Sequence, residues 1–376
     1  MRRKINNQRG VSALVVGASV FAVVVVVAAA VWLFASKKET PIKIGSIISL
    51  SGSSSHLVDL KDGMILAADE INTAGGVNGK KIELIIEDSK TDLEEGKKAF
   101  ARIEAAHQPL LYVSTNSFIS MALSPLAERH RVPLIGLVTS APEFTAQKEW
   151  TYRYWMTSND EIPPVLVWLN RLNVNQLGVL FLDDPFGRSV YVLLQKACEE
   201  IGKTVKAQGY KKNISDLGVQ IGALMDMEAI YIVGYVKHIG AAVKHLKKVK
   251  YKGKIISASG ATNERVKKLP EANGIYVAAP AFYNPGYVYA TEAKSKYEAK
   301  FGKPLNHQAA NGYDFVKLLA SLLEDKEMTR AGVKRLLEAG FTYAGVFGTL
   351  NLKPGARDIP IPLFPAKIVD GELVYR

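Results

Sequence analysis

The side chains of this chain that could do chemistry are mostly short hydroxyls and amides, and they recur in one kind of place. Each group follows an apolar, β-branched run: Ser49–Ser55, Thr115–Ser117, Thr139 and Ser140, Asp183–Phe186, Gly234 and Tyr235, and Ser257–Thr262. Short donors and acceptors of this type hold a small polar molecule by hydrogen bonds. Where they open a helix, the free N–H groups of its first turn favour an anion. Covalent chemistry would need more. His56, His107, His130, His238, His245 and His307 are dispersed, and no G-x-S-x-G, H-E-x-x-H or G-x-x-x-x-G-K-[ST] pattern occurs. Asp183 and Asp184 are adjacent on a strand and point to opposite faces, so they cannot flank one substrate. No enzyme, metal centre or cofactor is expected. His56, in the first of these loops, is read as a surface-loop histidine.

The elements that must position these loops alternate. Lys43–Ser49, Lys81–Glu87, Leu110–Val113 and Pro133–Val138 read as strands, separated by helical patterns at Leu60–Ala74, Asp92–Ala106 and Ser117–His130. Gly75 and Gly76 end the first helix, and Asn78-Gly79 signals a turn. The acidic first turn after Asp92 suits the positive end of a helix dipole. A second cycle begins with a helix over Glu161–Leu172, its Pro163 and Pro164 placed in the first turn. Strands follow at Leu177–Leu182, Thr204–Ala207, Ala229–Val233, Gly253–Ser257 and Gly274–Ala278, with helices at Gly187–Ile201, Ser215–Met225 and Ile239–Val249. Three helices, Gly286–Phe301, His307–Leu323 and Thr329–Ala339, precede a strand-rich tail in which Asn351–Ile361 is a loop. Strand–helix alternation predicts doubly wound α/β sheets, and two cycles predict two similar lobes. In such sheets ligands sit beyond the carboxyl ends of the strands, where the hydroxyl loops lie. The first of these loops is Ser-rich and lacks G-x-G-x-x-G, which excludes a dinucleotide fingerprint.

Val11 to Ala35 contains no charged residue and would be roughly 37 Å long as a helix, enough to cross a hydrocarbon core of about 30 Å. Arg2, Arg3, Lys4 and Arg9 precede it, which places residues 1–10 in the cytoplasm and the rest outside. The run exceeds the apolar core of a cleaved signal, and Leu33-Phe34-Ala35 puts a large residue where a small one is preferred. An uncleaved anchor is therefore preferred over a cleaved signal; export follows from either. No Cys follows the run for lipid attachment, and Ser36–Pro41 is a short tether. Residues 1–38 carry six Lys/Arg, which leaves +6 of the formal +12 for the exported part. That mild charge, without a clustered basic and aromatic face, argues against nucleic acid. Cys198, the sole cysteine, is expected to be a buried apolar residue.

In this order, "IKIGSIISLSG" at 42–52, "AADEINTAGGVNGKKIELIIED" at 67–88, "PLIGLVTSAPEFT" at 133–145, "GVLFLDDPFGRS" at 178–189 and "QAANGYDFVKLLA" at 308–320 carry a family likeness. The chain resembles the substrate-binding proteins of branched-chain amino-acid type ABC transporters, the leucine/isoleucine/valine-binding, type I periplasmic binding proteins. The resemblance implies an α/β clamshell of two doubly wound parallel-sheet lobes joined by three crossovers, here preceded by one N-terminal transmembrane helix. Lobe 1 would be 41–157 plus 281–349, and lobe 2 158–280 plus 350–376. The crossings fall near Thr157–Asp160, Ala279–Phe282 and Thr349–Pro365. It implies a small-molecule ligand captured by hinge closure and an ABC transporter permease as partner. Asn116, Ser117, Val138, Thr139 and Ser140 match the positions that hold a ligand carboxylate. Phe186 and Tyr235 match aromatic residues that close over it. The position of the acid that meets an α-ammonium falls on Ser259, and a buried ammonium without an opposing carboxylate is costly. Asp183, Asp184 or Glu264 would serve only if the loops differ. The ligand thus stays open: an amino acid held differently, a carboxylate without an amine, or a small amide. A ligand-sensing ectodomain acting with a separate signalling partner is the alternative; only ten residues precede the apolar run and no output domain follows.

Overall fold

The apolar runs become strands and the amphipathic stretches helices, in two successive rounds. The computed structural model describes residues 40–214, 216–280 and 288–375. Among them the first round gives β1 (Ile42–Ile48), β2 (Ile82–Asp88), β3 (Leu111–Ser114), β4 (Leu134–Gly136) and β5 (Thr151–Tyr154). Between these run α1 (Val58–Thr73), α2 (Leu93–His107) and α3 (Ser117–His130). The second round opens with α4 (Ser158–Arg171). Its strands are β6 (Gln176–Leu182), β7 (Thr204–Tyr210), β8 (Ala229–Val233), β9 (Lys254–Ser257) and β10 (Tyr276–Pro280). Its longer helices are α5 (Pro185–Glu200) and α6 (Val236–Lys248). Then come α7 (Val288–Phe301), α8 (His307–Leu323), α9 (Arg330–Ala339), the hairpin β11 (Phe341–Gly345) and β12 (Gly348–Leu352), and β13 (Asp358–Ile359), β14 (Leu363–Val369) and β15 (Glu372–Tyr375).

The first sheet runs β13-β5-β4-β3-β1-β2 and the second β15-β14-β10-β9-β8-β6-β7. Within each, five strands share one order: second, first, third, fourth, fifth of their round. β1 pairs in parallel with β2 and β3, and β6 in parallel with β7 and β8. The order therefore reverses at β1/β3 in one sheet and at β6/β8 in the other, the places where a doubly wound sheet opens a crevice. Near-continuous apolar strands such as Ala229–Val233, all buried, belong in parallel sheets covered on both faces. Two apolar clusters flank each sheet, one per face. Helices α1 and α8 cross so closely that a Cβ on Gly63 would lie 2.0 Å from the Ala309 carbonyl oxygen, and one on Gly312 2.2 Å from that of Leu60. Cys198 is buried, as its spacing requires.

Several boundaries differ from the sequence reading. Helix α4 starts at Ser158, three residues early, because Thr157 and Asp160 form a reciprocal capping box. Pro163 and Pro164 consequently lie inside the helix rather than in its first turn. Strand β5, with Arg153 in it, was not anticipated. The helix expected over Ser215–Met225 is only Gly218–Gly222. The second-lobe tail was expected from residue 350, but Leu350, Leu352, Ile359 and Ile361 are buried in the first sheet's core. β13 also pairs with β5, so the last passage to the second sheet lies between Ile359 and Leu363. The passage expected near Ala279–Phe282 runs into residues 281–287, outside the described residues. The apolar segment 11–35 lies outside them too. Among the described residues no helix is long and apolar enough to cross a membrane.

Candidate functional site

Both crevices contribute to one cavity, which encloses about 470 Å³ of space with its mouth included. Ser117, Val138, Ser140, Phe186, Tyr235 and Ser259 border it. Asn116 and Thr139 lie behind. The Asn116 amide accepts from Ser49 Oγ (2.7 Å) and donates to Ser54 Oγ (3.2 Å), so it ties the first loop down. Thr139 Oγ1 is 2.8 Å from Ser120 Oγ and also reaches the Leu137 carbonyl. The cavity is further bordered by His56, Trp155, His307 and Gln308, which were not singled out as site residues. His56 is buried, not a surface-loop residue, because Gly52–Leu57 turns inward as a 3-10 helix.

The wall on the first sheet is made by backbone. Asn116 (φ 66°) and Val138 (φ 54°) both take left-handed conformations. For a β-branched valine this is a strained state that the surroundings must enforce, and such strain gathers at ligand sites. The Asn116 N–H donates to the Val138 carbonyl at 3.1 Å, which joins the two loops. Ser117 Oγ accepts from the N–H groups of Ser140 and Ala141, each at 3.1 Å. With both lone pairs engaged, its remaining capacity is to donate its own proton. Arg153, fully buried, holds the same loop from below: Nη1 donates to the Ser140 carbonyl and Nη2 to that of Ala141, both at 2.9 Å. Burial pulls its pKa down, opposed by Asp358, whose carboxylate lies 3.1 Å from Nε.

The wall on the second sheet is made by hydroxyls with carboxylates behind them. Asp184 caps α5 through the Gly187 N–H (2.8 Å) and accepts from the Tyr235 hydroxyl. Its neighbour Asp183 faces outward to Arg188 and Lys211, so the two acids diverge. Burial pushes the Asp184 pKa up, against the hydrogen bonds from Gly187 and Tyr235. The rings of Phe186 and Tyr235 stack at 6.5 Å and 10°. Ser259 donates from Oγ to Glu161 at 2.5 Å and from N–H at 3.1 Å. The Tyr231 hydroxyl donates to the other Glu161 oxygen at 3.2 Å. Glu161 is 1% exposed; burial pushes its pKa up to about 7 against these bonds. No sequence signal pointed to Glu161, because its partners lie 70 and 98 residues away.

The histidines bring no charge. Burial lowers the pKa of His56 to about 3, with Arg265 adding to the effect. His307 falls to about 3 for the same first reason, helped by His56 and Lys267. The His307 ring stacks on Trp155 at 5.6 Å, and its Nδ1 is 3.1 Å from Thr262 Oγ1. At the mouth, Lys212 donates to the Thr91 carbonyl (3.2 Å) and sits 5.0 Å from the Phe118 ring centre, joining the two sheets' loops. Among the described residues no group of three or more His, Cys, Asp or Glu could hold a metal ion.

Two switch points face one small cavity, the arrangement of a two-lobed α/β clamshell. The sequence matches a family model described as periplasmic binding protein over residues 41–371. The chain therefore belongs to the periplasmic binding proteins, a family of solute binders, and its likeness is to their branched-chain amino-acid type. Among curated proteins, the Leu/Ile/Val-binding protein homolog 2 of Brucella abortus (strain 2308) is 23% identical over 225 residues, 58% of this chain and 61% of that protein. The chain thus spans less than two thirds of that relative's length. Among solved structures, the leucine-binding protein LivK of Thermotoga maritima superposes with a TM-score of 0.82 at 20% identity, covering 89% of this chain and 97% of that one. LivJ of Streptococcus pneumoniae, in complex with isoleucine, gives 0.80 at 21%, covering 89% and 98%. At these identities the likeness is one of fold.

Proposed function

We propose that this chain is the extracytoplasmic solute-binding component of an ABC importer, which captures an amino acid or a related small carboxylate or amide between two lobes that close by a hinge. The observation that carries this reading is the convergence of loops from both sheets on one uncharged, hydroxyl-lined cavity. Ser117, Ser140 and the backbone at Val138 and Thr139 hold the ligand's acceptor end, with Asn116 fixing their loops. Phe186 and Tyr235 cover it, and Ser259 meets its other end. The apolar run Val11–Ala35 would anchor the protein in the cytoplasmic membrane. A tether keeps the clamshell near its permease at high effective concentration.

Thermal unfolding of the full-length chain in mild detergent, against amino acids, carboxylates and small amides, tests this. A ligand that binds only the folded state stabilises by RT ln(1 + [L]/Kd), about 2.7 kcal/mol at a hundredfold excess. A shift confined to one chemical class is expected. No shift with any class, after unfolding and refolding to strip a retained ligand, would contradict the reading and favour a sensor that acts through a protein partner.

A further inference from the structure

We propose that the edge of the cleft carries a second site, for a small multivalent oxyanion such as phosphate or sulfate, held by Lys237, Lys244 and Arg265 against Ser53 and Ser55. Such a site stands apart from the solute-binding reading and does not depend on it. These residues border a cavity of about 860 Å³, its mouth included. It shares His56 and Val236 as a wall with the smaller cavity described above. Three cations border it and, among the described residues, no acid does. None of the three has an ion-pair partner among the described residues, whereas Lys267 and Lys268, close by in the chain, both meet Glu264.

The sequence builds the cradle on one helix face. Lys237, Ala241 and Lys244 recur at spacings of four and three on α6, so both lysine stems rise from one side, about 10 Å apart along the axis. Gly240 and Ala241, between them, leave the floor open. Lys237 stands in the first turn of α6, where the positive end of the helix dipole disfavours a cation, and no acid lies in that turn to compensate. An anion here would relieve both the dipole and the repulsion among the cations. Arg265 brings a planar fork that matches an oxyanion, and the lysines bring point charges. Two observations on the other side of the cavity point to the same ligand. Ser53 and Ser55 are half-buried on the 3-10 turn Gly52–Leu57, and short hydroxyls can donate to an oxyanion. His56 is 5% exposed, borders the cavity, and its ring makes no hydrogen bond to a described residue. A neutral imidazole has one N–H, and leaving it buried without an acceptor is costly. An anion oxygen supplies that acceptor. The charge must be multivalent, because exposed cations in a water-filled mouth attract a single charge only weakly.

The test titrates sodium phosphate by calorimetry into the full-length chain in mild detergent at low ionic strength, with sodium chloride at matched ionic strength as the control. One site per chain is expected for phosphate and none for chloride, with affinity falling as salt is raised because the cations are exposed. The double variant Lys237→Gln/Arg265→Gln should bind phosphate roughly tenfold more weakly, the worth of a hydrogen bond to a charged group. Lys237→Arg/Arg265→Lys keeps the charge and should retain the site. No phosphate binding beyond chloride, or binding that the glutamine double variant leaves unchanged, overturns the proposal. Because no solute is present, that outcome leaves the solute-binding reading intact. If the double variant does not fold, Lys244→Gln must weaken phosphate binding, and unchanged affinity there overturns the proposal equally. A second titration, of the solute with the largest thermal shift in the presence of phosphate, identifies the anion's source. Solute affinity that phosphate leaves unchanged or raises marks a free ion. Competition in the wild-type chain that vanishes in the double variant marks an acidic group of the solute itself, and either result supports the site. Competition that persists in the double variant places phosphate in the solute cavity and overturns it.

Discussion

The two walls of the cleft are built on equivalent positions of equivalent sheets, yet they hold their hydroxyls in opposite senses. At the β1/β3 switch, Ser117 accepts from backbone and is free to donate, and a buried guanidinium steadies the loop through its carbonyls. At the β6/β8 switch and beside it, Tyr235 and Ser259 donate to buried carboxylates, which leaves Ser259 Oγ to accept. One fold motif, used twice, thus yields a donor wall and an acceptor wall. The difference lies in which charge is buried behind each: Arg153 beneath the first, Asp184 and Glu161 behind the second. Sheet order decides where a site forms, and the few ionisable groups under the loops decide what it prefers.

The largest effect expected from breaking this contrast is at Arg153. Arg153→Met removes the buried charged donors that hold the Ser140 and Ala141 carbonyls; it should cost about 3–5 kcal/mol in urea unfolding and abolish ligand binding. Glu161→Gln, on the other wall, should change unliganded stability by no more than about 1 kcal/mol, because the amide still accepts from Ser259. Equal costs at the two positions would erase the asymmetry.

The next effect is one of pH. His56 and His307 have folded pKa values near 3, below their ordinary 6.5, so between those limits the unfolded chain binds more protons than the folded one. Stability due to keeping them neutral is complete above about pH 6.5 and is lost as pH falls, by about 2 kcal/mol for each histidine at pH 5. Thermal unfolding at pH 7.5 and 5 should show this drop, and a variant with both histidines changed to glutamine should lose most of it. A pH response that the double variant leaves unchanged would place the sensitivity elsewhere. The smallest effect belongs to the contact that spans the mouth. Lys212→Ala should weaken ligand binding by less than about 1 kcal/mol, chiefly through faster release measured by stopped flow.

What the sequence revealed follows the reach of local physics. The apolar alternation from Ile42 onward identified most of the strands because parallel strands buried on both faces need such runs. The hydroxyl loops were visible because they end those runs, and six of the eight residues assigned by family likeness border the cavity. The misses share one cause, partners remote in the chain. Arg153 in Thr151–Tyr154 contradicts an apolar pattern, and its burial makes sense only with carbonyls from the preceding loop and Asp358 brought to it. Ser259 read as a missing acid because Glu161 stands 98 residues before it. The start of α4 was the exception: Thr157 and Asp160 spell a cap within four residues, and reading it would have moved the helix start from Glu161 back to Ser158.

The central claim is that one ligand is held between these two walls. The most direct test is a calorimetric titration of the ligand with the largest thermal shift into the wild-type chain, Ser117→Ala from the first wall and Phe186→Ala from the second. The account predicts one site per chain and roughly tenfold weaker binding in each variant, from a lost hydrogen bond in one and lost aromatic cover in the other. Wild-type affinity in both variants would contradict it.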